Sequence, residues 1–201
     1  LTWAEIGDRA GIGYALQVDD TYDFSSPVLD LIGLTTTQYT LRSNLGDRKY
    51  YWRVRVKDGA GNYSKWSSLE SFILDTAPPE PVVTARADAR SGGDIYLTWT
   101  VVVDTISGVG LYQIYRSQSS GTLGTLIGTS NNRETYYLDS GENLTDQVLY
   151  YFTIMPVDTA GNQQLTGNIQ VSVKCNKTGI GIYGITVSSS PFSPNSDGKR
   201  D

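Results

Sequence analysis

Hydrophobic and polar positions alternate with a period of two over short stretches of this 201-residue chain. No stretch carries the three-to-four spacing of an amphipathic helix beyond a turn or two. From Asp94 to Val101, Ile95, Leu97, Trp99 and Val101 share one face. Leu111 to Arg116 repeats the pattern, with Tyr112 and Ile114 inward. Thr125–Thr129 and Thr135–Leu138 read as shorter strands, and Val148–Val157 and Asn168–Lys174 complete the set. Between them stand Ser-Gly, Gly-Thr, Asn-Asn and Ala-Gly-Asn, all turn chemistry. Short strands at this spacing predict an all-β sandwich or barrel.

The pattern occurs twice. Tyr50-Tyr51-Trp52-Arg53-Val54-Arg55-Val56-Lys57-Asp58-Gly59-Ala60-Gly61-Asn62 returns 100 residues later as Tyr150-Tyr151-Phe152-Thr153-Ile154-Met155-Pro156-Val157-Asp158-Thr159-Ala160-Gly161-Asn162. Leu1-Thr2-Trp3 matches Leu97-Thr98-Trp99, Tyr14 matches Tyr112, and Leu45 matches Leu144. The offset changes only across turn-rich stretches, as expected of homologous domains with different loops. A period this long is a whole β-domain, not a solenoid unit. Asp75-Thr76-Ala77-Pro78-Pro79-Glu80-Pro81 lies between the copies; its prolines favour an extended, semi-rigid connection. The expected organisation is a domain over 1–75, a linker over 76–81, a second domain over 82–175 and a distinct tail over 176–201.

Composition narrows the function classes. The chain has no His, one Cys and one Met, and a net charge of −5. Cys175 alone forms no intrachain disulfide and no cysteine cluster for zinc. The acidic balance, without a basic run, excludes non-specific nucleic-acid binding. No apolar run has the ~18 residues of a membrane-spanning helix. Without His the usual general base near neutral pH is missing, which leaves only a carboxylate pair as catalytic machinery.

These segments resemble fibronectin type III domains of bacterial secreted and surface proteins, over roughly residues 1–175. The carriers are Trp3 and Trp99 on strand B, the Leu45…Tyr50 and Leu144…Tyr150 pairs, the alternating F strand and the two Ala-Gly-Asn turns. The resemblance implies two tandem immunoglobulin-like β-sandwiches joined by the proline-rich linker. It implies that Tyr50 and Tyr150 bond their hydroxyls to nearby backbone, and that Trp3 and Trp99 are buried beside Trp52 and Phe152. Two departures stand out. Pro156 falls inside the F strand, where a bulge or early end is expected, and the first copy opens at strand B, lacking strand A.

The tail resembles something else. Gly181–Val187 reads as a strand, and the following Pro191-to-Asp201 segment resembles the start of the small immunoglobulin-like domain, akin to the flagellar hook-capping type, that ends many secreted bacterial proteins. Asn195, Asp197 and Asp201 flank Gly198 with the spacing of hard oxygen ligands, which reads either as a Ca²⁺ loop or as an ordinary Asx turn.

Other candidates have plainer alternatives. Asp19, Asp20 and Asp23 are the densest acidic cluster and fit a solvated hairpin loop. Tyr63-Ser64-Lys65-Trp66-Ser67 resembles half of the Trp-Ser-x-Trp-Ser box of cytokine receptors. With Arg53 and Arg55 on the outer face of the F strand, it predicts a cation–π stack with Trp66. Tyr51, Tyr115, Tyr137 and Tyr151 form either a sugar-stacking platform or ordinary cross-strand pairs. The sequence therefore reads as a non-catalytic spacer or interaction module of a secreted or cell-surface bacterial protein. Its neighbours are domains of the same polypeptide, and no protein or glycan ligand is named by the residues. A glycan-binding accessory domain of a polysaccharide-degrading enzyme is the alternative.

Overall fold

The computed structural model describes residues 1–5, 13–42 and 44–178; the predicted tail strand and Asn195, Asp197 and Asp201 lie outside the described residues. The fold is all-β, and the one helical element among the described residues is a 3₁₀ turn at Gly141–Asn143. No helix among the described residues is long and apolar enough to cross a membrane.

In the first copy, β1 (Gly13–Asp19), β2 (Leu29–Leu34), β3 (Arg48–Lys57) and β4 (Glu70–Leu74) form one antiparallel sheet in the order β2-β1-β3-β4. Across from it, Leu1–Trp3 meets Thr37–Tyr39 through a single antiparallel bridge, Thr2 to Gln38. The Trp3 amide donates to the Thr37 carbonyl at 3.0 Å, and that of Tyr39 to Leu1 at 2.9 Å. Among the described residues the first copy thus comprises these four strands, the bridged segments at Thr2 and Gln38, and a bridge from Lys57 at the end of β3 to Tyr63.

In the second copy, β5 (Ala85–Ala89), β6 (Ile95–Trp99) and β9 (Tyr136–Asp139) make a three-stranded sheet, ordered β5-β6-β9. It faces a four-stranded sheet ordered β11-β10-β7-β8, built from β7 (Val109–Ser117), β8 (Thr125–Asn131), β10 (Leu149–Asp158) and β11 (Gln170–Lys174). Ile95, Leu97 and Trp99 are buried, as alternation requires, but Val101 is 67% exposed. The strand has ended by then: β6 closes at Trp99, and the in-register bond from the Thr100 amide to Thr84 O lies one pair beyond it.

Two apolar clusters result. One gathers Leu97, Trp99, Tyr112, Ile114, Phe152 and others between the two sheets of the second copy. The smaller is centred on Leu16, Val18 and Tyr50, with Leu1, Trp3 and Trp52 partly buried against it. Trp3 is thus half-buried rather than buried, 6.4 Å from Trp52 and 5.6 Å from Tyr14 between ring centroids. Trp99 is 6% exposed and packs edge-on against Tyr112 at 5.2 Å.

Pro156 neither ends β10 nor carries the bulge. It pairs with Tyr112, and the register slips only between Val157 and Asp158. β11 pairs with β10 only as far as Thr153, so the outer side of Pro156 faces no strand. Its carbonyl accepts the Gln164 amide at 3.1 Å, and no donor is needed there. Val56, at the matching place in the first copy, does have an amide, and it donates to Ser64 Oγ at 3.0 Å.

Candidate functional site

Strand alternation puts Arg53, Arg55 and Lys57 on one face of β3. The segment 63–67 runs alongside and docks through its serines: Ser64 and Ser67 each take a β3 amide on Oγ and donate their own amides to Val56 O and Val54 O. That docking swings Tyr63 and Trp66 between the cations. The Arg53 guanidinium lies 4.0 Å from the Phe24 ring centroid and 4.6 Å from Trp66; that of Arg55 lies 4.3 Å from Trp66 and 4.0 Å from Tyr63. Lys57 caps the stack at 5.4 Å from Tyr63. Gln17 Oε1 accepts two bonds from Arg53 and fixes its plane. Phe24 reaches the stack from a left-handed backbone conformation, φ 55°.

The hydroxyl of Tyr50 donates to Gly46 O at 2.9 Å, whereas that of Tyr150 accepts the Thr145 amide at 2.9 Å. Asp19, Asp20 and Asp23 are taken up locally. Asp19 accepts from the Asp20 amide and Thr21 Oγ1, Asp23 from Thr21 Oγ1 and the Ser25 amide, and Asp20 pairs with Arg48. Tyr51, Tyr115, Tyr137 and Tyr151 are all half-buried, not an exposed row. Tyr137 packs against the second core with its hydroxyl on Ile127 O, so the platform loses a member to the interior.

Two carboxylate arrangements were not singled out in the sequence. Asp139, on β9, takes both of its bonds from Arg116 Nη1, at 3.0 and 2.8 Å. Burial pushes its carboxyl above the ordinary range, against the pull of the Arg116 hydrogen bond and charge. That pairing leaves it no role as a free acid or base.

The other is a cluster. Asp75 follows β4, Asp104 lies in the loop from β6 to β7, and Asp158 closes β10; one carboxylate oxygen of each lies within 4.8 Å of the other two. Asp75 is 7% exposed and Asp158 4%. Asp104 Oδ1 accepts the amides of Ile106, Ser107 and Gly108, and Asp75 Oδ2 accepts that of Ser107 as well. Asn162 closes the group: its amide and its Nδ2 go to Asp158, and Nδ2 also donates to Asp75 O. Two like charges at this separation repel by about 3 kcal/mol at an effective dielectric of ~20. No Lys or Arg among the described residues pairs with any of the three. A signal was available: each of the three begins an Asp-Thr pair at the mouth of a turn, Asp75-Thr76, Asp104-Thr105 and Asp158-Thr159.

No family model matches the chain. Over 181 residues it is 27% identical to Chitinase A1 of Niallia circulans, a likeness covering 87% of this chain and 23% of that protein, so the chain spans about a quarter of the relative's length. Among solved structures, the FN1–FN3 domains of chicken CNTN1 superpose with a TM-score of 0.59 at 14% identity, covering 88% of this chain and 61% of that one. A Fn3-like protein from Clostridium thermocellum is 26% identical over 48% of this chain and 88% of its own, with a TM-score of 0.37. The fold is the fibronectin type III-like, immunoglobulin-like β-sandwich.

Proposed function

We propose that this chain is a non-catalytic spacer and interaction module of a secreted or cell-surface bacterial protein. In this reading residues 1–75 and 82–175 are two sandwich modules, with 76–81 the connection that sets their separation. The 27% identity to part of a chitinase supports a polysaccharide-degrading parent protein as the setting. The observation that carries the reading is the use made of the polar groups. Arg53 and Arg55 are stacked between rings, Asp139 is held by Arg116, and Asp19 and Asp23 cap their own loop. These side chains, which would otherwise be candidates for chemistry or for holding a sugar, are engaged in maintaining the fold.

Glycan binding is the rival, and the half-buried state of Tyr51, Tyr115, Tyr137 and Tyr151 removes its main support. Sedimentation of the purified chain with insoluble chitin and cellulose separates the two. A spacer stays in the supernatant at every protein concentration. Saturable retention on either polymer overturns the spacer reading in favour of an accessory binding domain.

A further inference from the structure

We propose that Asp75, Asp104 and Asp158 form a calcium site that clamps the junction between the two copies. Asp75 belongs to the segment leaving the first copy, while Asp104 and Asp158 belong to loops of the second, so an ion held by all three ties one to the other. The placement rests on the two-module reading above; the binding chemistry does not.

Buried charges are normally paired or on a metal. Here two carboxylates more than nine-tenths buried share a space with a third, and no cationic side chain among the described residues answers them. The amides that reach them supply dipoles, not a compensating charge. A second observation points the same way. Ser107 Oγ is buried and has no hydrogen-bond partner among the described residues. The amide of that same residue bridges Asp75 and Asp104, at 3.1 and 2.8 Å, which brings the orphan hydroxyl to the rim of the cluster. Three carboxylates and a hydroxyl make an all-oxygen donor set. Oxygens up to 4.8 Å apart suit an ion with ligand distances of 2.3–2.6 Å, six to eight ligands and tolerance for irregular geometry. Magnesium, smaller and strictly octahedral, fits less well.

The first copy is an internal control. Asp58 makes the same turn with Asn62, its Oδ1 accepting the Asn62 amide at 2.8 Å and its Oδ2 the side-chain Nδ2 at 3.1 Å. Asp58 belongs to no carboxylate group of this kind among the described residues. The turn alone needs no ion; the convergence of three acids is particular to the junction.

Calorimetric titration of the whole, chelator-stripped chain with CaCl₂ tests the proposal, with the melting temperature followed in parallel. The expected result is one saturable site in the range of extracellular modules, about 10⁻⁴–10⁻³ M, and a melting temperature that rises with calcium. Asp104→Asn keeps the capping oxygen for the three amides but removes the charge, and is expected to weaken binding at least tenfold. Asp58→Asn is expected to leave it unchanged. If Asp104→Asn disturbs the fold by circular dichroism, Ser107→Ala gives a second reading through a smaller loss of calcium affinity. Absence of calcium-dependent heat and of any melting shift up to 10 mM overturns the proposal. So does binding that survives Asp104→Asn but is lost in Asp197→Asn, which would assign it to the tail. None of these outcomes bears on retention by chitin, so the site and the spacer reading fail separately.

Discussion

The two copies share a strand plan and differ in how they close it. In the second, β5 pairs along β6, Ala85 lies opposite Trp99, and the indole is sealed between two sheets. In the first, among the described residues, the segment carrying the equivalent indole of Trp3 is bridged to Thr37–Tyr39, and the indole is half-buried. The outer face of the long central strand differs in the opposite sense. Arg53, Arg55 and Lys57 stack with aromatics on β3, while Thr153, Met155 and Val157, 100 residues on, are simply buried on β10. The two central strands are thus covered differently on their outer faces, by a cation–π stack on β3 and by burial of aliphatic and small side chains on β10. A shared fold does not imply shared sources of stability.

The largest expected effect tests the first half of that contrast. Trp99→Ala empties a sealed site and should cost about 3–5 kcal/mol. Trp3→Ala removes a half-exposed ring and should cost roughly half as much. Urea unfolding followed by tryptophan fluorescence and circular dichroism measures both. Equal losses would show that the exposure of Trp3 does not reflect a weaker core.

Next in size is a comparison of ion pairs. Arg116 and Asp139 have side chains 19% and 9% exposed, against 56% and 32% for Arg48 and Asp20. Arg116→Ala strands a nearly buried carboxylate and should cost about 2–3 kcal/mol near neutral pH, toward the low end for broken buried pairs. Arg48→Ala should cost under about 1 kcal/mol. The pH dependence adds a sign. The folded pKa of Asp139 is raised above its ordinary 3.8, so its contribution is fully present below that value and is lost as pH rises through the folded one. Without Arg116 the carboxyl rises further. The penalty of Arg116→Ala should therefore shrink as pH falls toward 4; a penalty independent of pH would mean that lost packing, not the stranded charge, dominates.

Much of this was legible in the sequence, for identifiable reasons. Alternation exposed β6, β7 and β10 because each carries a buried face and an outer one. The 100-residue echo placed the first-copy strands by analogy. The stack of Arg53, Arg55 and Trp66 was readable because strand period and the serine spacing of a single local segment determine it. The junction cluster was not, since Asp75, Asp104 and Asp158 meet only after the chain has packed, and each alone looks like a turn residue. Val101 misled because alternation continues past the point where the backbone leaves the sheet, and hydrophobic pattern carries no record of that departure. Phe24 joined the stack unannounced, through a left-handed turn that no periodicity encodes.

The stacked face of β3 yields a smaller effect. Trp66 lies between two guanidinium groups, each contact being worth about 0.5–1 kcal/mol. Trp66→Ala should therefore destabilise the first copy by about 1–2 kcal/mol, and Arg55→Ala by a similar amount, since it loses its contacts with both Trp66 and Tyr63. The urea midpoint of the transition assigned by Trp3 and Trp52 fluorescence measures both. If Trp66→Ala leaves that midpoint unmoved, the stack covers the strand without stabilising it.

The smallest effect concerns the turn that both copies share. Asp58 is half-buried, and its carboxyl sits below the ordinary value. The Asn62 side-chain amide is the leading cause, followed by the Asn62 backbone amide. Because the folded pKa is depressed, the turn's contribution is present above the ordinary value of 3.8 and fades as pH falls through the folded one. Carboxyl titration by NMR should place Asp58 below that ordinary value, and Asn62→Ala should return it most of the way. The same substitution at Asn162 should do more, since Asn162 also reaches Asp75 O: it should disturb the junction, with Ser107 and Gly108 amide shifts moving as well. If the two substitutions act alike, the second turn is no more than a copy of the first, and the link between Asn162 and the acidic cluster has no energetic consequence.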